Sequence, residues 1–308
     1  MVICKDLDHI QHFNESVLTI GSLDGMHKGH AEIFSTLKDL SKSNNKPLVV
    51  ITFDPHPKTV LGNSRKPTQT LISVDKKMYL LEKYSVEYLW IIPFDKDFST
   101  LSASSFLKNY ISKYFNPVDI VIGYDHHFGF NREGNANFLE RNKRYFGYNL
   151  HIKDPILYDD LAISSSRIRS YLNSGKIDKA NDCLGWEYEF SGTVVKGEGK
   201  GTELEFPTAN IQPDISSQLI PACGVYCVDA IIDNCYYTGM CNIGKRPTFY
   251  KNGKEVIEVH LFSEQKLNIY DKNIKIIFKK YLRAEKKYNS SNELTKQLKL
   301  DRQTCFTL

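Results

Sequence analysis

The sequence predicts a doubly wound α/β domain followed by an antiparallel β-barrel that a C-terminal helix closes. Three observations lead to this fold class. The first half alternates short apolar runs with helical patterns, the order typical of a parallel sheet covered by helices. Its apolar runs are continuous rather than alternating, as in strands buried on both faces. After about residue 185 the apolar runs become short and β-branched, and glycines and prolines become frequent, which favours a barrel.

Four apolar runs in the first half predict strands of the parallel sheet. They are 17–20, 48–53 ("LVVITF"), 88–94 ("YLWIIPF") and 118–125 ("VDIVIGYD"). The helix after the first strand has four apolar residues on one face, Ile33, Phe34, Leu37 and Leu40. A second helix, capped by Ser102 or Ser105, carries Phe106, Leu107, Tyr110, Ile111 and Tyr114. Ligands of such sheets bind at the carboxyl ends of the strands, where "GSLDGMHKGH", "DPHP" and "GYDHHFG" lie.

The second half is predicted to be the barrel. Its short apolar runs are "SGTVV", "GVYCVDAII", "EVIEVHLF" and "KNIKIIF". No long helical pattern appears until about 290–299, which is the predicted closing helix. The change of pattern follows the helix that starts at "SSSRIRSYLNSGKIDKA" and puts the boundary near 183–188. The predicted domains are therefore 1–185 and 186–308.

The composition is that of a folded chain with two domains of ordinary size. Of the 308 residues, 41% are hydrophobic and 25% are charged. The net charge of +4 is too weak to indicate nucleic-acid binding and suits anionic small molecules equally well. No apolar stretch approaches the ~20 residues of a membrane span, and charged residues interrupt the N-terminal segment, so neither a membrane segment nor a signal peptide is expected. The seven cysteines form no CxxC pair, which predicts reduced thiols in a cytoplasmic protein.

The stretch "TIGSLDGMHKGHAEIF" indicates phosphate chemistry. A helix N-terminus offers free N–H groups and the positive end of the helix dipole, and Gly25 and Gly29 let the backbone come close to a ligand. His27 and His30 are three residues apart, so they share a face of the first helical turn. Imidazoles there can donate hydrogen bonds to phosphate oxygens that gain charge during transfer. The alternative is a plain glycine turn with two exposed histidines.

Eight segments, covering nearly the whole chain, carry a resemblance to a known family. Those of the first half are "GSLDGMHKGH", "ITFDPHP", "GYDHHFGFNREGN" and "ISSSRIRSYLNSG". Those of the second half are "FPTAN", "NIGKRPTF", "IEVHLF" and "LRAEKKYNS". In this order they resemble the motifs of the bifunctional riboflavin kinase/FMN adenylyltransferase family, also called prokaryotic FAD synthetase. The resemblance implies a nucleotidyltransferase domain followed by a six-stranded antiparallel barrel with kinase activity.

For the first domain the resemblance implies adenylyl transfer from ATP to FMN, which gives FAD and pyrophosphate. His27 and His30 would bind the ATP phosphates and the transition state. The remaining ATP-site residues would be Gly21, Asp24 and Gly29 in the nucleotide pocket, and Ser164, Ser165 and Arg169 at the leaving pyrophosphate, with Arg167 as a second candidate for the arginine. Asp125 and Phe128 would lie near adenine or flavin, while His126 and His127 could instead be surface residues. The "SSSR" segment has the alternative of a plain helix cap.

For the second domain the resemblance implies ATP-dependent phosphorylation of riboflavin at its ribityl 5′-hydroxyl. Thr208 and Asn210 offer a hydroxyl and an amide oxygen for Mg²⁺. Glu258 would be the general base, although an ordinary solvent-facing glutamate is the alternative. The other implied residues are Gly197, Gly199 and Gly201 over the ATP phosphates, and Arg283 and Glu285 on the flavin side.

Four positions depart from the family pattern: Leu23, Ser166, Thr202 and Glu205. Thr202 stands where the family usually has Arg and Glu205 where it usually has Gly, so the kinase loop loses a positive charge and gains a negative one. This leaves a second hypothesis, a single-activity FMN adenylyltransferase whose barrel has weakened kinase activity or only binds flavin. A nucleic-acid-binding regulator is a third, but it needs a basic stripe or a helix-turn-helix, and neither is visible.

Overall fold

The structure, a computed structural model, describes residues 1–6, 9–62, 68–196, 206–245, 255–263 and 267–307. The chain forms two compact units, Met1–Ser165 and Ser166–Leu308. Two helices, Ser165–Asn173 and Ile177–Leu184, lie between this division and the boundary that the sequence suggests. The domain boundary after residue 185 therefore stays a prediction.

The first unit is built on a parallel sheet of six strands. Its strands, with two small two-stranded ribbons, are β1 (Val2–Cys4), β2 (Ser16–Ile20), β3 (Leu48–Asp54), β4 (Tyr88–Pro93), β5 (Pro117–Gly123), β6 (His127–Phe128), β7 (Gly134–Asn135), β8 (Asn149–Lys153), β9 (Leu157–Tyr158) and β10 (Leu161–Ala162). The order in the sheet is β1-β4-β3-β2-β5-β8, and every neighbouring pair is parallel. The predicted doubly wound class is confirmed.

Helices connect these strands, as the alternating pattern predicts. They are α1 (Lys28–Asn44), α2 (Pro57–Leu61), α3 (Val74–Lys83), α4 (Lys96–Ser99), α5 (Ala103–Phe106) and α6 (Ala136–Phe146). Helix α5 continues as a π-helix, Leu107–Phe115, and a short 3-10 turn spans Phe130–Arg132. Ser102 is the N-cap of α5, because its hydroxyl accepts a hydrogen bond from the Ser105 N–H. The alternative cap left open by the sequence is thereby settled.

The core of the first unit lies beside the central strands. Trp90 on β4 is fully buried, with its ring centroid 5.7 Å from that of Phe115 and 6.4 Å from that of Phe106. Burying one such side chain stabilises a fold by about 2–3 kcal/mol. The parallel register pairs Ile20 at the end of β2 with Ile51 of β3. The loop after β2 therefore lies at the same edge of the sheet as the end of β3.

The second unit is a closed antiparallel barrel, as predicted. Its strands are β11 (Glu189–Val195), β12 (Ala209–Pro213), β13 (Gly224–Ile232), β14 (Cys235–Lys245), β15 (Glu255–Leu261) and β16 (Asn273–Arg283). The order around the barrel is β11-β12-β15-β14-β13-β16, and β16 closes it by pairing with β11. Its helices are α7 (Ser165–Asn173), α8 (Ile177–Leu184) and the C-terminal α9 (Ser291–Phe306).

One expectation about the cysteines is wrong. Cys227 on β13 and Cys305 on α9 form a disulfide across 78 residues of sequence, whereas reduced thiols were expected. The other five cysteines are outside any disulfide: Cys4, Cys183, Cys223, Cys235 and Cys241. A pairing over this separation leaves no spacing signal in the sequence, since only the fold brings the two residues together. The bond ties the closing helix to the barrel wall.

Within the part of the chain that the structure describes, none of the helices has both the length and the apolar character needed to cross a membrane.

Candidate active sites in the two units

The glycine-rich loop of the first unit connects the end of β2 to α1. His27 is the N-cap residue of α1, with extended backbone angles and no side-chain capping bond. Gly25 has a φ of 83°, which glycine adopts readily. Leu23 and Met26 also have positive φ values, 49° and 40°, which strain residues with a Cβ. Both are buried, so packing holds the loop in a conformation that it would not adopt by itself.

The two histidines stack at the start of α1. The ring centroids of His27 and His30 are 3.8 Å apart and the ring planes differ by 18°. Both Nδ1 atoms are buried without a hydrogen-bond partner within the described residues. Burial lowers the pKa of His27 to about 4, and burial together with the charges of His27 and Lys77 lowers that of His30 well below 6.5. Both imidazoles are therefore neutral at pH 7, and the alternative of two exposed histidines is wrong.

Gly29 allows this stacking. A Cβ at that position would lie 3.2 Å from both Cε1 and Nδ1 of His27, which is tighter than ordinary van der Waals contact. The His27 ring therefore occupies space that a side chain would need. Gly29 lies between the two histidines in sequence, and its lack of a side chain leaves room for the His27 ring.

Asp24 is buried and connects the loop to neighbouring segments by hydrogen bonds. Its side chain is 2% exposed, and its Oδ1 accepts a hydrogen bond of 2.9 Å from the Leu71 N–H. Its carbonyl oxygen accepts a hydrogen bond of 2.8 Å from the Ser165 hydroxyl. At the start of the loop, the Gly21 N–H donates to the Ile51 carbonyl of β3, at 3.0 Å. The structure thus brings Gly21, Asp24, Gly29 and Ser165 together with the histidines.

A buried lysine that the sequence did not single out joins this group. Lys77 of α3 is 8% exposed, and its Nζ lies 2.8 Å from the Ser22 carbonyl oxygen and 3.3 Å from Thr52 Oγ1. Lys77 lies four residues before the buried Leu81, and residues at i and i+4 share a helix face. This spacing in the sequence could have indicated that the lysine is buried. Lysine on an apolar face is rarely fully buried.

The residues expected near the flavin or adenine differ in burial: two are exposed, one is half-buried and one lies in the core. Asp125 is exposed in the turn after β5, and His127 is exposed as well. Phe128 is 6% exposed and belongs to the core, where its ring packs 5.9 Å from those of Phe106 and Phe138. His126 is half-buried, and its Nε2 is buried without a hydrogen-bond partner within the described residues. The expectation that His126 could lie on the surface does not fit this nitrogen.

The segment around α7 carries the remaining residues expected at the pyrophosphate. Ser164 is half-buried directly before α7. Arg169 is half-buried on α7 and belongs to the second unit. The Arg167 guanidinium carbon lies 5.3 Å from the centre of the Tyr171 ring, a cation–π arrangement within the helix.

In the barrel, Glu258 stands between two asparagines. On β15 it pairs with Asn210 of β12 on one side and with Asn242 of β14 on the other. Directly opposed residues of antiparallel strands share a face, so the carboxylate and the two amides form one row. Glu258 is half-buried and its neighbours Ile257 and Val259 are buried, so burial alternates along this part of the strand.

The face of β15 that carries Glu258 is partly covered. His260 lies on the Glu258 side of β15 but is buried, and its Nδ1 donates to the Pro207 carbonyl oxygen at 2.9 Å. Its ring packs 4.9 Å from that of Phe206. The glutamate thus lies beside a covered patch. Thr208, one residue before β12, is exposed, and Asn210 is half-buried. Their hydroxyl and amide oxygens are hard ligands that could hold a divalent cation.

The predicted flavin-side residues follow the end of β16. Arg283 donates from Nε and Nη2 to Oδ2 of Asp301 on α9, at 2.9 Å and 2.8 Å. Glu285 Oε1 accepts a hydrogen bond from Asn242 Nδ2 at 3.4 Å, which links it to the row that contains Glu258. A Cβ at Gly244 would collide with the Glu285 carboxylate. Gly197, Gly199 and Gly201, with Thr202 and Glu205, lie outside the described residues.

The fold defines the class of the protein: a transferase with an α/β unit and a β-barrel unit. The α/β unit has two stacked histidines at the start of α1, and the barrel has a glutamate between two asparagines. The comparisons with known proteins agree. The FAD synthetase family matches residues 9–167, and the riboflavin kinase family matches residues 184–308. The chain belongs to the bifunctional riboflavin kinase/FMN adenylyltransferase family.

Relatives of that description cover nearly the whole chain. The bifunctional riboflavin kinase/FMN adenylyltransferase of Bacillus subtilis is 34% identical over 95% of this chain and 92% of its own length. The corresponding protein of Escherichia coli K12 is 30% identical over 94% of this chain and 91% of its own. Among solved structures, a Streptococcus pneumoniae protein described as a macrolide-efflux protein is 30% identical and matches with a TM-score of 0.91, covering 100% of this chain and 99% of that chain. That structure supports the fold; its described activity differs from that of the curated relatives.

Proposed function

We propose that the chain makes FAD from riboflavin in two ATP-dependent steps. The barrel unit phosphorylates riboflavin to FMN with release of ADP. The α/β unit adenylylates FMN to FAD with release of pyrophosphate. The observation that carries this proposal is the presence in one chain of both family matches, together with a buried, neutral histidine pair at the start of α1.

In the α/β unit the chemistry is transfer of an adenylyl group. An oxygen of the FMN phosphate attacks the α-phosphorus of ATP, and the bond between that phosphorus and the bridging oxygen to the β-phosphate breaks. No side-chain nucleophile is needed, so the protein contributes positioning and charge stabilisation. His27 and His30 donate imidazole N–H bonds to phosphate oxygens that gain charge. The free N–H groups at the start of α1 add the positive end of the helix dipole.

The other residues of that unit shape the nucleotide pocket and receive the leaving group. Gly21, Asp24 and Gly29 hold the loop in its strained form, as their contacts with Ile51, Leu71 and His27 support. Ser164 and Ser165 lie at the entry to α7, and Arg169 supplies a guanidinium for the pyrophosphate. Asp125 and Phe128 are proposed on the flavin or adenine side, with Phe128 acting through the packing of the loop because its ring is buried.

In the barrel unit the chemistry is transfer of a phosphoryl group. Glu258 accepts the proton of the ribityl 5′-hydroxyl, whose oxygen attacks the γ-phosphorus of ATP. The bond between that phosphorus and the oxygen that bridges it to the β-phosphate breaks, and ADP leaves. Thr208 and Asn210 are proposed as Mg²⁺ ligands, and their neutral oxygens fit the preference of that ion. Magnesium neutralises charge on the ATP phosphates when bound. Gly197, Gly199 and Gly201 are proposed over those phosphates, and Arg283 and Glu285 on the flavin side.

Two further assignments belong to this proposal. The functional domains are taken as 1–185 and 186–308. The enzyme is proposed to act in the cytoplasm, where its substrates ATP and riboflavin would meet it; the disulfide between Cys227 and Cys305 argues against this location, because disulfides are rare in reducing compartments. Alkylation of free thiols before and after reduction, followed by mass measurement on protein isolated without reductant, would decide the state of that pair.

The test of the function is direct. The purified protein is incubated with riboflavin, ATP and Mg²⁺, and riboflavin, FMN and FAD are separated over time. FMN should appear first and FAD after it. FAD formation from added FMN without any FMN formation from riboflavin would instead support the single-activity adenylyltransferase, in which the barrel only binds flavin.

A further inference from the structure

Lys77 is a buried cation beside the histidine pair, and the chemistry described so far makes no use of it. It lies on the face of α3 that also buries Leu81, and its side chain is 8% exposed. An ammonium group in such a place needs a reason, because lysines are almost never fully buried unless they are paired. Here both hydrogen-bond partners are neutral oxygens, the Ser22 carbonyl and Thr52 Oγ1.

These partners join three elements at one point. Ser22 belongs to the glycine-rich loop after β2, Thr52 to β3, and Lys77 to α3. Thr52 is itself buried and donates from Oγ1 to the same Ser22 carbonyl at 3.3 Å. One carbonyl oxygen of the loop thus receives a bond from each of the two other elements. The next residue, Leu23, begins the part of the loop with positive φ values.

The charges around the ammonium group come from the loop, from the end of β3 and from α1. Burial lowers the pKa of Lys77, while the carboxylates of Asp24 and Asp54 act against this. Burial lowers the pKa of His30 most, and the charges of His27 and then of Lys77 lower it further. The charge of Lys77 is therefore attracted by two carboxylates and acts on the His30 imidazole.

Stability alone does not account for this lysine. Taking a charge out of water is unfavourable, and apolar replacements of buried ionic groups are often neutral or stabilising. A methionine of similar length would remove that cost and keep the packing against the neighbouring Leu81. A costly cation at this point indicates a role in function, where stability is commonly exchanged for activity.

We propose that Lys77 is a positioning residue for adenylyl transfer: its ammonium group holds the Ser22 carbonyl, and with it the strained loop that leads to His27 and His30. This inference rests on the proposed adenylyltransferase role of the two histidines and deepens it. Lys77 acts through the loop and the imidazoles and is not itself assigned a bond to substrate.

The test compares Lys77→Met with Lys77→Arg and with a control, Lys83→Met, which removes an exposed lysine from the same helix. Each full-length variant is assayed for FAD formation from FMN and ATP, for riboflavin phosphorylation, and for thermal unfolding. Lys77→Met should lower kcat for FAD formation by roughly tenfold or more, with little change in KM for FMN. Its unfolding temperature should be unchanged or higher, and riboflavin phosphorylation should be unaffected. Lys77→Arg should recover part of the loss, and Lys83→Met should behave as the wild type.

The pH profile provides a readout that a purely structural role would not move. Without the lysine charge, His30 takes up a proton at higher pH, so the acid limb of FAD formation should shift to higher pH in Lys77→Met but not in Lys77→Arg. A loss of activity that follows a loss of unfolding temperature, with an unshifted acid limb, would show that Lys77 is only structural. Full activity in Lys77→Met would likewise overturn the inference.

A parallel His30→Ala variant distinguishes a failure of the inference on Lys77 from a failure of the proposed histidine site. If His30→Ala abolishes FAD formation while Lys77→Met is fully active, the inference on Lys77 fails and the site stands. If both variants are fully active, the proposed site itself is misplaced.

Discussion

The imidazole rings of His27 and His30 lie face to face, 3.8 Å between centroids, at the point where the glycine-rich loop becomes α1. Two charged imidazoles could not share this position, since like charges at such a distance repel strongly in a buried site. Burial lowers the pKa of both rings, so the pair is neutral. A neutral pair can donate hydrogen bonds without holding a phosphate so tightly that the product remains bound.

Replacing His30 with alanine should lower FAD formation from FMN by on the order of 10²-fold or more, the scale of losing one preorganised donor to a charge that develops in the transition state. The measurement is steady-state FAD formation at saturating ATP. Riboflavin phosphorylation by the same protein is the internal control, because it belongs to the other unit. FAD formation at the wild-type rate would show that His30 has no catalytic role.

The histidines also predict how the free energy of unfolding depends on pH. Above about pH 6.5 His27 is neutral in both the folded and the unfolded chain and has no effect. As the pH falls from 6.5 towards 4, the unfolded chain binds a proton that the folded chain excludes, so the free energy of unfolding decreases. The difference between 6.5 and about 4 corresponds to about 3 kcal/mol at most for His27.

Urea unfolding of the wild type at pH 7 and pH 5 measures this effect. The loss on acidification should be smaller in His27→Asn, which cannot take up the proton. His12→Asn, which removes an exposed histidine of the same unit, should lose stability on acidification as the wild type does. Equal losses in all three proteins would show that His27 is not kept neutral by the fold.

Much of the fold could be predicted because it depends on local patterns. The continuous apolar runs became β2, β3, β4 and β5, and the change to short β-branched runs marked the barrel. These features survive in the sequence because a strand buried on both faces needs an apolar residue at every position. The proximity of His27 and His30 could also be predicted from a local pattern, because residues at positions i and i+3 lie on the same face of a helix.

The features that sequence reasoning missed depend on residues far apart in the chain. Lys77 reaches Ser22 across 55 residues, and Cys227 meets Cys305 across 78. Nothing in the local pattern around either member specifies its partner. Phe128 shows a different difficulty, because the sequence motif that contains it does not reveal that its ring is buried in the core. Burial separates these cases, and burial is a property of the whole fold.

Glu258→Gln should lower riboflavin phosphorylation by ~10²–10⁴-fold, as expected for loss of a general base. The amide keeps the shape of the side chain between Asn210 and Asn242, so the fold should not change. FAD formation from FMN should remain at the wild-type rate. The matched control is Glu189→Gln, a half-buried glutamate on another strand of the same barrel. Normal phosphorylation by Glu258→Gln would assign the base to another group or to solvent.

Arg283, for which a role on the flavin side is proposed, forms an ion pair with the buried Asp301. Asp301 is 4% exposed; its Oδ2 accepts both bonds from Arg283, and its Oδ1 accepts from Gln297 Nε2 at 2.8 Å. The carboxylate on α9 thereby sets the orientation of a guanidinium that follows β16. The disulfide at Cys305, one helical turn further on, holds the same part of α9 against the barrel.

Asp301→Asn keeps the size of the side chain and removes the charge that Arg283 needs. Breaking a buried pair by changing one partner costs on the order of 3 kcal/mol, so the unfolding temperature should fall and KM for riboflavin should rise, while FAD formation from FMN persists. The control is Asp233→Asn, which breaks the exposed pair with Lys272 and should change stability very little, because exposed ion pairs contribute little. In the double variant Asp301→Asn with Arg283→Gln, stability should partly return, because no unpaired buried charge is left, but riboflavin affinity should not. A double variant that regains both stability and affinity would show that Arg283 serves the packing of α9 and has no part in flavin binding.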